Sequence, residues 1–465
     1  MILICIDATY LDHSGATLYP ASFIDQTALI LKTQLLGNPH SGSPSSMLAT
    51  KHVDDVRREI LTLFNAGESE WDVVFVANST AAIKLVADAF NGAVGKKKGR
   101  GFIYRYHRDA HTSLVGVREL AREWELFEKD EDVESWLVEK RKKGKNSWGL
   151  SCLGQLTTPK PIPPALFAYP AQSNLTGRRL PLQWAYKARN AHGYFTLLDA
   201  AALLMTKPLD LRNPATSPDY VSCSFYKIFG MPDLGALIVK RGPAADILRK
   251  REYFGGGTVS TLLAGTDHHS LKLGHPHESL EDGTVPFHSI LMLGVAIKRH
   301  KELYGGFEKI GKCTSALAWG LYQFLSSLRH SNGAKVVEFY STPEFLDSIR
   351  QGPILSFNLK GPHGGYIGFL EVEKRAAAEN IHIRVGGNCN PGGVQWHCGF
   401  KESELKRMFM MGEKACGDNV DLVDGRPVGV VRVSLGAMST WDDVRVFGEF
   451  VWRRWVDGGG GVSGD

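Results

Sequence analysis

Regularly spaced cysteines are missing from this chain. Its 465 residues include seven cysteines, an odd number, with no Cys-x-x-Cys pair and no spacing typical of metal ligands. This pattern argues against a disulfide framework and predicts a reducing, cytoplasmic location. The histidines at 268–269 and 275–277 are interpreted as loop residues and not as a metal site.

Long hydrophobic runs and a strong net charge are missing as well. No apolar stretch is long enough to span a bilayer, and the apolar start at 1–7 has no basic leader or cleavage site. The formal net charge of +5 is mild, and the basic clusters at 96–100 and 139–145 contain no interleaved aromatic residues. We therefore expect solvated loops there, with neither a membrane nor a nucleic acid as partner.

The length and the order of the predicted elements indicate two domains. Strands alternate with helices from Trp71 to Lys240, which predicts an α/β layer with a mainly parallel sheet, and an α+β pattern follows after about residue 310. The predicted parts are an N-terminal segment at 1–50 that packs on both domains, a large domain at 51–305 with a flexible insertion at 129–164, a small domain at 306–456 and a flexible tail at 457–465.

Lys227 is the first candidate site residue. The apolar run from Tyr220 to Phe225 predicts a buried strand that delivers Lys227 into a turn ending at Gly230. A desolvated lysine has a lowered pKa and can form a Schiff base with an aldehyde cofactor. Taken alone, a lysine that extends to the surface from a strand end is the better interpretation.

Asp199 favours the Schiff-base interpretation of Lys227 over the surface interpretation, because it ends the preceding buried strand at 194–199. An aspartate and a lysine at successive strand ends suit pyridoxal phosphate, whose pyridinium nitrogen binds a carboxylate and whose aldehyde binds an amine. Ligands of parallel sheets bind at the carboxyl ends of the strands. The two residues together therefore predict a pyridoxal phosphate site.

Two further strand ends carry polar candidates. The predicted strand at 71–77 enters a helix through Ser79 and Thr80, where free backbone N–H groups could bind a phosphate. The alternative is an ordinary helix N-cap formed by either hydroxyl. His111 follows the strand at 102–104, and it could stack on an aromatic ring or be a loop histidine.

Five motifs point to one family. They are the runs at 10–17 (YLDHSGAT), 167–174 (FAYPAQSN), 224–230 (SFYKIFG), 253–258 (YFGGGT) and 416–419 (CGDN). Through them the chain resembles the class V aminotransferase-like enzymes of fold type I, which include the cysteine desulfurases. Within that family it is similar to the molybdenum cofactor sulfurases. The resemblance runs from Tyr10 to Gly436 and implies a large α/β domain and a smaller α+β domain.

The resemblance implies cofactor contacts. Lys227 would bind pyridoxal 5'-phosphate covalently, Asp199 would bind the pyridine nitrogen, and His111 would stack on the ring. Asn174 would contact the ring hydroxyl. The positions that match the phosphate contacts are Ser79, Thr80 and Ser224, together with Thr284, which would reach the phosphate of the neighbouring subunit in a homodimer.

The resemblance also implies L-cysteine desulfuration. Arg432 would clamp the substrate carboxylate, with Arg384 and Asn174 as further substrate contacts and Lys227 as the base. Cys389 would take the sulfur as a persulfide, leaving alanine. The glycines around Cys389 predict a mobile loop without helix or strand. Two departures stand out: Asn78 replaces a glycine, and Gly387 and Val394 replace flanking cysteines.

The sulfur acceptor implied by the resemblance is the molybdenum cofactor. Family members continue into a carboxyl-terminal domain that engages it, and we expect this acceptor half to be missing here or supplied by a separate domain. The rival interpretations are a related lyase, epimerase or transaminase without sulfur transfer, and an inactive paralogue that serves as a binding partner. Asn78 keeps the second rival open.

Overall fold

The computed structural model describes residues 7–95, 101–139, 163–410 and 420–458. The cluster at 96–100, most of the cluster at 139–145, residues 140–162 of the predicted insertion, the motif at 416–419 and the end of the predicted tail lie outside the described residues. Within these ranges no helix is long and apolar enough to cross a membrane.

A seven-stranded sheet forms the centre of the larger domain in the described part of the chain. Six strands run parallel, and the strand Gly235–Lys240 runs opposite to both of its neighbours. In spatial order the strands are Trp71–Val76, Gly235–Lys240, Tyr220–Ser224, Phe195–Asp199, Ala165–Pro170, Ile103–His107 and Glu123–Phe127. The predicted α/β layer with a mainly parallel sheet is confirmed.

Helices cover both faces of this sheet, because its strands are apolar on both sides. Val73 and Phe75 pack into one hydrophobic core, whereas Val74 between them packs into the other. The helices of this domain are Ala21–Thr33, Pro44–Leu63, Ser79–Val94, Thr112–Val115, Asp130–Val138, Trp184–His192, Tyr226–Phe229, Pro243–Leu248 and Phe287–Tyr304. The short segments are the 3₁₀ helices Gly116–Leu120 and Pro276–Ser279 and the hairpin Val259–Leu262 with His269–Leu271.

The second domain is built on an antiparallel sheet with its own hydrophobic core. Its strands, in spatial order, are Val337–Phe339, Ile354–Lys360, Val430–Ser434 and Arg384–Gly386, with Tyr366–Ile367 beside the second and the small pair Leu422–Val423 and Arg426–Pro427 apart. Its helices are Phe307–Ser327, Phe369–Ala378, Pro391–His397, Glu402–Met410 and Trp441–Trp455, with the 3₁₀ turn Val456–Gly458. The predicted α+β pattern is confirmed.

The opening motif contacts both domains. The strand Thr9–Tyr10 pairs with Ile381–His382, and Asp12 bridges to Ser434 in the small domain. A few residues on, the Thr17 amide donates to the Tyr226 carbonyl (3.2 Å), next to Lys227 in the large domain. Residues 9–17 are thereby held against the turn that contains Lys227.

Two expectations about local structure need correction, and one strand was missed. The predicted flexible insertion at 129–164 begins instead with the helix Asp130–Val138, which has three acidic residues in its first turn and buries Trp136 against the core. The boundary predicted at residue 50 falls inside the helix Pro44–Leu63. The edge strand Glu123–Phe127 was not predicted, because exposed charged residues hide its alternation.

His300 supplies a stability prediction. It is buried against Phe229, its Nε2 has no hydrogen-bond partner among the described residues, and burial lowers its pKa to about 4. The unfolded chain protonates this histidine below its ordinary pKa of 6.5 but the folded chain does not, so stability falls between pH 6.5 and 4. His300→Phe removes this contribution, which amounts to about 3 kcal/mol over that window. Urea unfolding of both proteins at pH 7 and pH 4.5 measures it; an unchanged pH dependence would contradict the prediction.

Candidate active site

A cleft of about 660 Å³, including its open mouth, lies at the carboxyl ends of the parallel strands. Polar side chains from five strand ends surround it. The predicted site residues that line it are Ser79, Thr80, His111, Asn174, Asp199, Ser224 and Lys227. Motifs that are far apart in sequence therefore meet in one place, as expected for an α/β sheet.

Lys227 lies in the short helix Tyr226–Phe229 that follows the buried strand Tyr220–Ser224. Burial lowers the pKa of its amine, and Arg432 and Arg384 act in the same direction, while Asp199 opposes them. No described residue forms a hydrogen bond or ion pair with Nζ. A lowered pKa favours the neutral amine, which is the form that attacks an aldehyde.

Gly230 ends the lysine turn, and the turn requires it. Its φ is +83°, and a Cβ at this position would meet the carbonyl carbon of Leu18 at 2.7 Å. An L side chain would therefore be strained and would also push the opening segment away. The glycine lets this segment close over the lysine turn.

One carboxylate oxygen of Asp199 is left without a hydrogen bond from the described residues. Its Oδ1 accepts hydrogen bonds from the Ser79 hydroxyl (3.2 Å), the Ser222 hydroxyl (3.5 Å) and the Ala201 amide (3.1 Å). Its Oδ2 accepts none from the residues that the structure describes. This leaves an acceptor at the cleft for a protonated ring nitrogen.

The helix Ser79–Val94 begins at the cleft, and its N-cap is neither of the two hydroxyl residues that were expected to cap it. Asn78 is the N-cap: its Oδ1 accepts from the Ala81 amide (3.0 Å), so neither Ser79 nor Thr80 caps the helix. The Ser79 hydroxyl is directed to Asp199 and its amide donates to Ser224 Oγ (2.9 Å). Asparagine is among the preferred N-cap residues, so Asn78 is compatible with an intact anion site at this helix end.

His111 is neutral and its tautomer follows from its contacts. Its Nδ1 accepts a hydrogen bond from the Ser113 amide (3.1 Å), so the proton of the neutral ring belongs on Nε2. Burial lowers its pKa, with Lys227 and Arg384 acting in the same direction against Asp199. His111 therefore offers an uncharged aromatic face to the cleft.

The segment around Cys389 connects a strand to a helix, so the prediction of a loop region without helix or strand is wrong. A helix starts at Pro391, because Asn390 caps it by accepting from the Gly393 amide (2.9 Å) and proline suits the first helical position. Asn388 and Cys389 are both left-handed, with φ of +50° and +53°. The Cys389 carbonyl accepts from the Thr112 amide (2.9 Å), and the Cys389 side chain is exposed.

Arg432 lies in the strand Val430–Ser434, fully buried, and already has a carboxylate partner. Its NH2 group donates to Asp12 Oδ1 (2.7 Å) and its NH1 group to the Asn174 carbonyl (2.9 Å), while Nε has no partner in the described residues. Arg384 is half exposed and lies 3.7 Å from Asp12 Oδ2. Asp12 thus bridges both arginines. The sequence offered one signal for it, a lone acid in the opening motif.

One predicted site residue, Thr284, and the histidines at 275–277 lie away from the cleft. Thr284 does not line it; its hydroxyl accepts a long hydrogen bond from Asn38 Nδ2 (3.3 Å). The histidines at 275–277 come together with Asp72, where His277 Nδ1 donates at 2.9 Å. The guanidinium of Arg241, at 2.6 Å from His275 Nδ1, brings a positive charge to this group.

The residues present fit pyridoxal phosphate. Lys227 has a free amine, Asp199 has a free carboxylate oxygen, and a helix N-terminus with a seryl hydroxyl lies at the same cleft. These are the three chemical partners of its aldehyde, its ring nitrogen and its phosphate.

Comparison with known proteins agrees with this fit. The family model "Aminotransferase class-V" matches residues 9–447. The molybdenum cofactor sulfurase of Neosartorya fischeri is 47% identical over 460 residues, which cover 97% of this chain and 52% of that protein. That of Aspergillus terreus is 47% identical over 458 residues, with the same two coverages. The chain spans about half the length of these relatives.

Solved structures show the same fold. A cysteine desulfurase from Thermococcus onnurineus superimposes with a TM-score of 0.71 at 18% identity, covering 96% of this chain and 94% of that one. The cysteine desulfurase CsdA from Escherichia coli gives a TM-score of 0.68 at 16% identity with the same coverages. At these identities the likeness establishes the fold, which is fold type I.

Proposed function

The chain belongs to the class-V aminotransferase family, and from the geometry of its cleft we propose that it is a pyridoxal-phosphate-dependent L-cysteine desulfurase whose sulfur serves the molybdenum cofactor. One observation carries the proposal. Backbone hydrogen bonds from Thr112 to Cys389 and from Asn174 to Asn388 hold the segment that carries the exposed Cys389 next to the cleft that contains Lys227.

The reaction balances without an external oxidant. L-cysteine and the Cys389 thiol give L-alanine and a Cys389 persulfide: the substrate Cβ–S bond breaks, a S–S bond forms on Cys389, and the thiol protons pass to the alanine product and the persulfide. The bound cofactor supplies an electron sink that makes the substrate Cα–H acidic. Lys227 is the base placed to move that proton, and Arg432 orients the substrate carboxylate.

The sulfur acceptor is the least direct part of the proposal. Relatives at 47% identity are named molybdenum cofactor sulfurases, and we propose that this cofactor, free or on a separate domain, takes the persulfide sulfur. The cysteine usage makes a cytoplasmic location the expected one. The capping role of Asn78 removes the main argument for an inactive paralogue.

The direct test is a product assay on the cofactor-loaded protein. With L-cysteine and dithiothreitol we expect sulfide and alanine in equal amounts, and with L-alanine and a 2-oxo acid we expect no amino-group transfer. Amino-group transfer without sulfide would instead indicate a transaminase. Neither product would indicate an inactive paralogue.

Arg432→Lys should raise the KM for L-cysteine. Lysine keeps the charge but loses the planar fork, and a hydrogen bond to a charged group contributes about 1.5–3 kcal/mol, so we expect about a 10- to 100-fold increase. Steady-state kinetics measure it, with thermal unfolding to show that the contact with Asp12 is not needed for folding.

Arg384→Lys is the matched comparison. Arg178 forms ion pairs with two carboxylates, Asp109 (2.8 Å) and Asp130 (2.5 Å), whereas Arg432 has one such partner among the described residues. A rise in KM for Arg384→Lys alone would move the clamp there.

A homodimer is expected, because Thr284 lies outside the cleft of its own chain. A two-fold interface would bring it to the cofactor phosphate of the other subunit. The helix Ala21–Thr33 exposes 60% of Leu29, and Tyr253 in the glycine-rich segment is 72% exposed, which gives apolar surface for such an interface. Light scattering on the loaded protein should give twice the mass of the chain. A monomer that retains the cofactor would remove this role of Thr284.

A further inference from the structure

The asparagine at 390 is placed between the cofactor cleft and the nucleophile. Its side chain is fully buried and makes three hydrogen bonds: Oδ1 accepts from the Gly393 amide (2.9 Å), and Nδ2 donates to the Asp109 carbonyl (3.1 Å) and to Asn174 Oδ1 (3.0 Å). Every hydrogen-bonding group of this amide is used. A buried amide with this many directional contacts holds its neighbours in one arrangement.

Asn174 completes the connection from the other side. Its Nδ2 donates to the Asn388 carbonyl (2.7 Å), which can only accept, so the orientation of the amide is fixed. The same amide lines the cleft and has a second N–H for a ring hydroxyl. Asn174 thereby binds both residues that flank Cys389, namely Asn388 and Asn390.

The segment they hold is strained. Asn388 and Cys389 are consecutive non-glycine residues in the left-handed region, a conformation that costs free energy and persists only where surrounding contacts enforce it. The Cys389 carbonyl adds one such contact by accepting from Thr112, the residue after His111. If the asparagine contacts weaken, this strained turn is the part that relaxes.

We propose that Asn390 is a positioning residue that couples Asn174 to Cys389, so that cofactor occupancy of the cleft sets the conformation and the reactivity of the Cys389 thiol. The inference rests on the proposed cofactor and on Cys389 as the sulfur carrier, and it goes beyond them by assigning a link between the two. A ring hydroxyl bound to Asn174 adds one more contact to this amide, so the cofactor strengthens the hold of the amide on the turn at 388–390.

The test measures alkylation of Cys389 by iodoacetamide, followed by peptide mass spectrometry, with and without pyridoxal 5'-phosphate. In the wild-type protein we expect the rate to fall several-fold on loading. Asn390→Asp keeps the acceptor for the Gly393 amide and thus the helix start, but loses both donated bonds, so its rates with and without cofactor should be equal. Cys313, an exposed cysteine on another helix, is the internal control. Asn332→Ala removes a similar donor and acceptor from an exposed turn and should behave as wild type.

A cofactor analogue separates coupling from simple shielding and needs no variant. The 3-deoxy form of pyridoxal 5'-phosphate fills the cleft but lacks the ring hydroxyl, so it should leave the alkylation of Cys389 fast. Equal slowing by both compounds, or equal slowing in Asn390→Asp and wild type, would overturn the proposal, because shielding alone would then explain the protection. The outcome is independent of turnover, so a protein that fails to release alanine can still show or lack the coupling.

Discussion

Lys227→Ala should lose the covalent attachment of the cofactor and nearly all turnover. The amine of Lys227, in the helix that follows the strand Tyr220–Ser224, is the one group in the proposal that can both bind the aldehyde and move the substrate Cα proton. A positioned base contributes roughly 10²- to 10⁴-fold to rate, and loss of the attachment adds to that. Borohydride reduction followed by peptide mass spectrometry should find the cofactor on Lys227 in the wild type and on no peptide in the variant.

Lys240→Ala is the matched control for this variant. Its amine also has a pKa lowered by burial. It lies at the end of the reversed strand Gly235–Lys240, and therefore at the amino ends of the parallel strands, away from the cleft. Lys240→Ala should therefore retain attachment and turnover. If Lys227→Ala keeps the reduced cofactor on another lysine and still releases sulfide, the assignment of Lys227 is wrong.

Cys389→Ser should stop sulfur transfer while leaving cofactor attachment and substrate binding intact. A hydroxyl at this position is nearly the same size and keeps the backbone contacts at 388–390, but it cannot attack the substrate sulfur as a thiolate does. Sulfide release from L-cysteine should fall to the background of the assay. The substrate-induced change in cofactor absorbance should remain, since Lys227 and Arg432 are unchanged.

Cys313→Ser is the control here, because Cys313 is also exposed but lies on the helix Phe307–Ser327. Normal turnover in that variant and none in Cys389→Ser would assign the sulfur to one thiol. Full turnover in Cys389→Ser would show that sulfur leaves the cleft by another route.

The site residues that could be predicted from sequence are those that lie at the carboxyl end of a single predicted strand. Lys227 and Asp199 each end an uninterrupted apolar run, and parallel strands align their carboxyl ends at one edge, so their meeting needed no tertiary knowledge. Ser79 followed from a strand that enters a helix. The resemblance to the family added Asn174 and Cys389, whose local signals are weak, and it gave a role to His111, which a strand end had already indicated.

The parts that could not be predicted depend on contacts between distant segments. Asp12 reaches Arg432 only because the first strand docks on the small domain, 420 residues away in sequence. The turn at Cys389 looked mobile from its glycines, yet buried asparagines hold it through hydrogen bonds to Asp109 and Asn174. Asn390 did carry a local signal, an asparagine followed by proline, which is typical of a helix start.

Mapping the sulfur on the protein tests the central claim most directly. The cofactor-loaded chain is incubated with L-cysteine in the absence of reductant, digested, and analysed by mass spectrometry, with alanine measured in parallel. Cys389 and Cys398 both lie between Arg384 and Lys401, so fragment ions must separate them. We predict one added sulfur atom on Cys389 for each alanine formed, removed by dithiothreitol as sulfide. Alanine without protein-bound sulfur, or sulfur on Cys398 or Cys416 instead, would contradict the account.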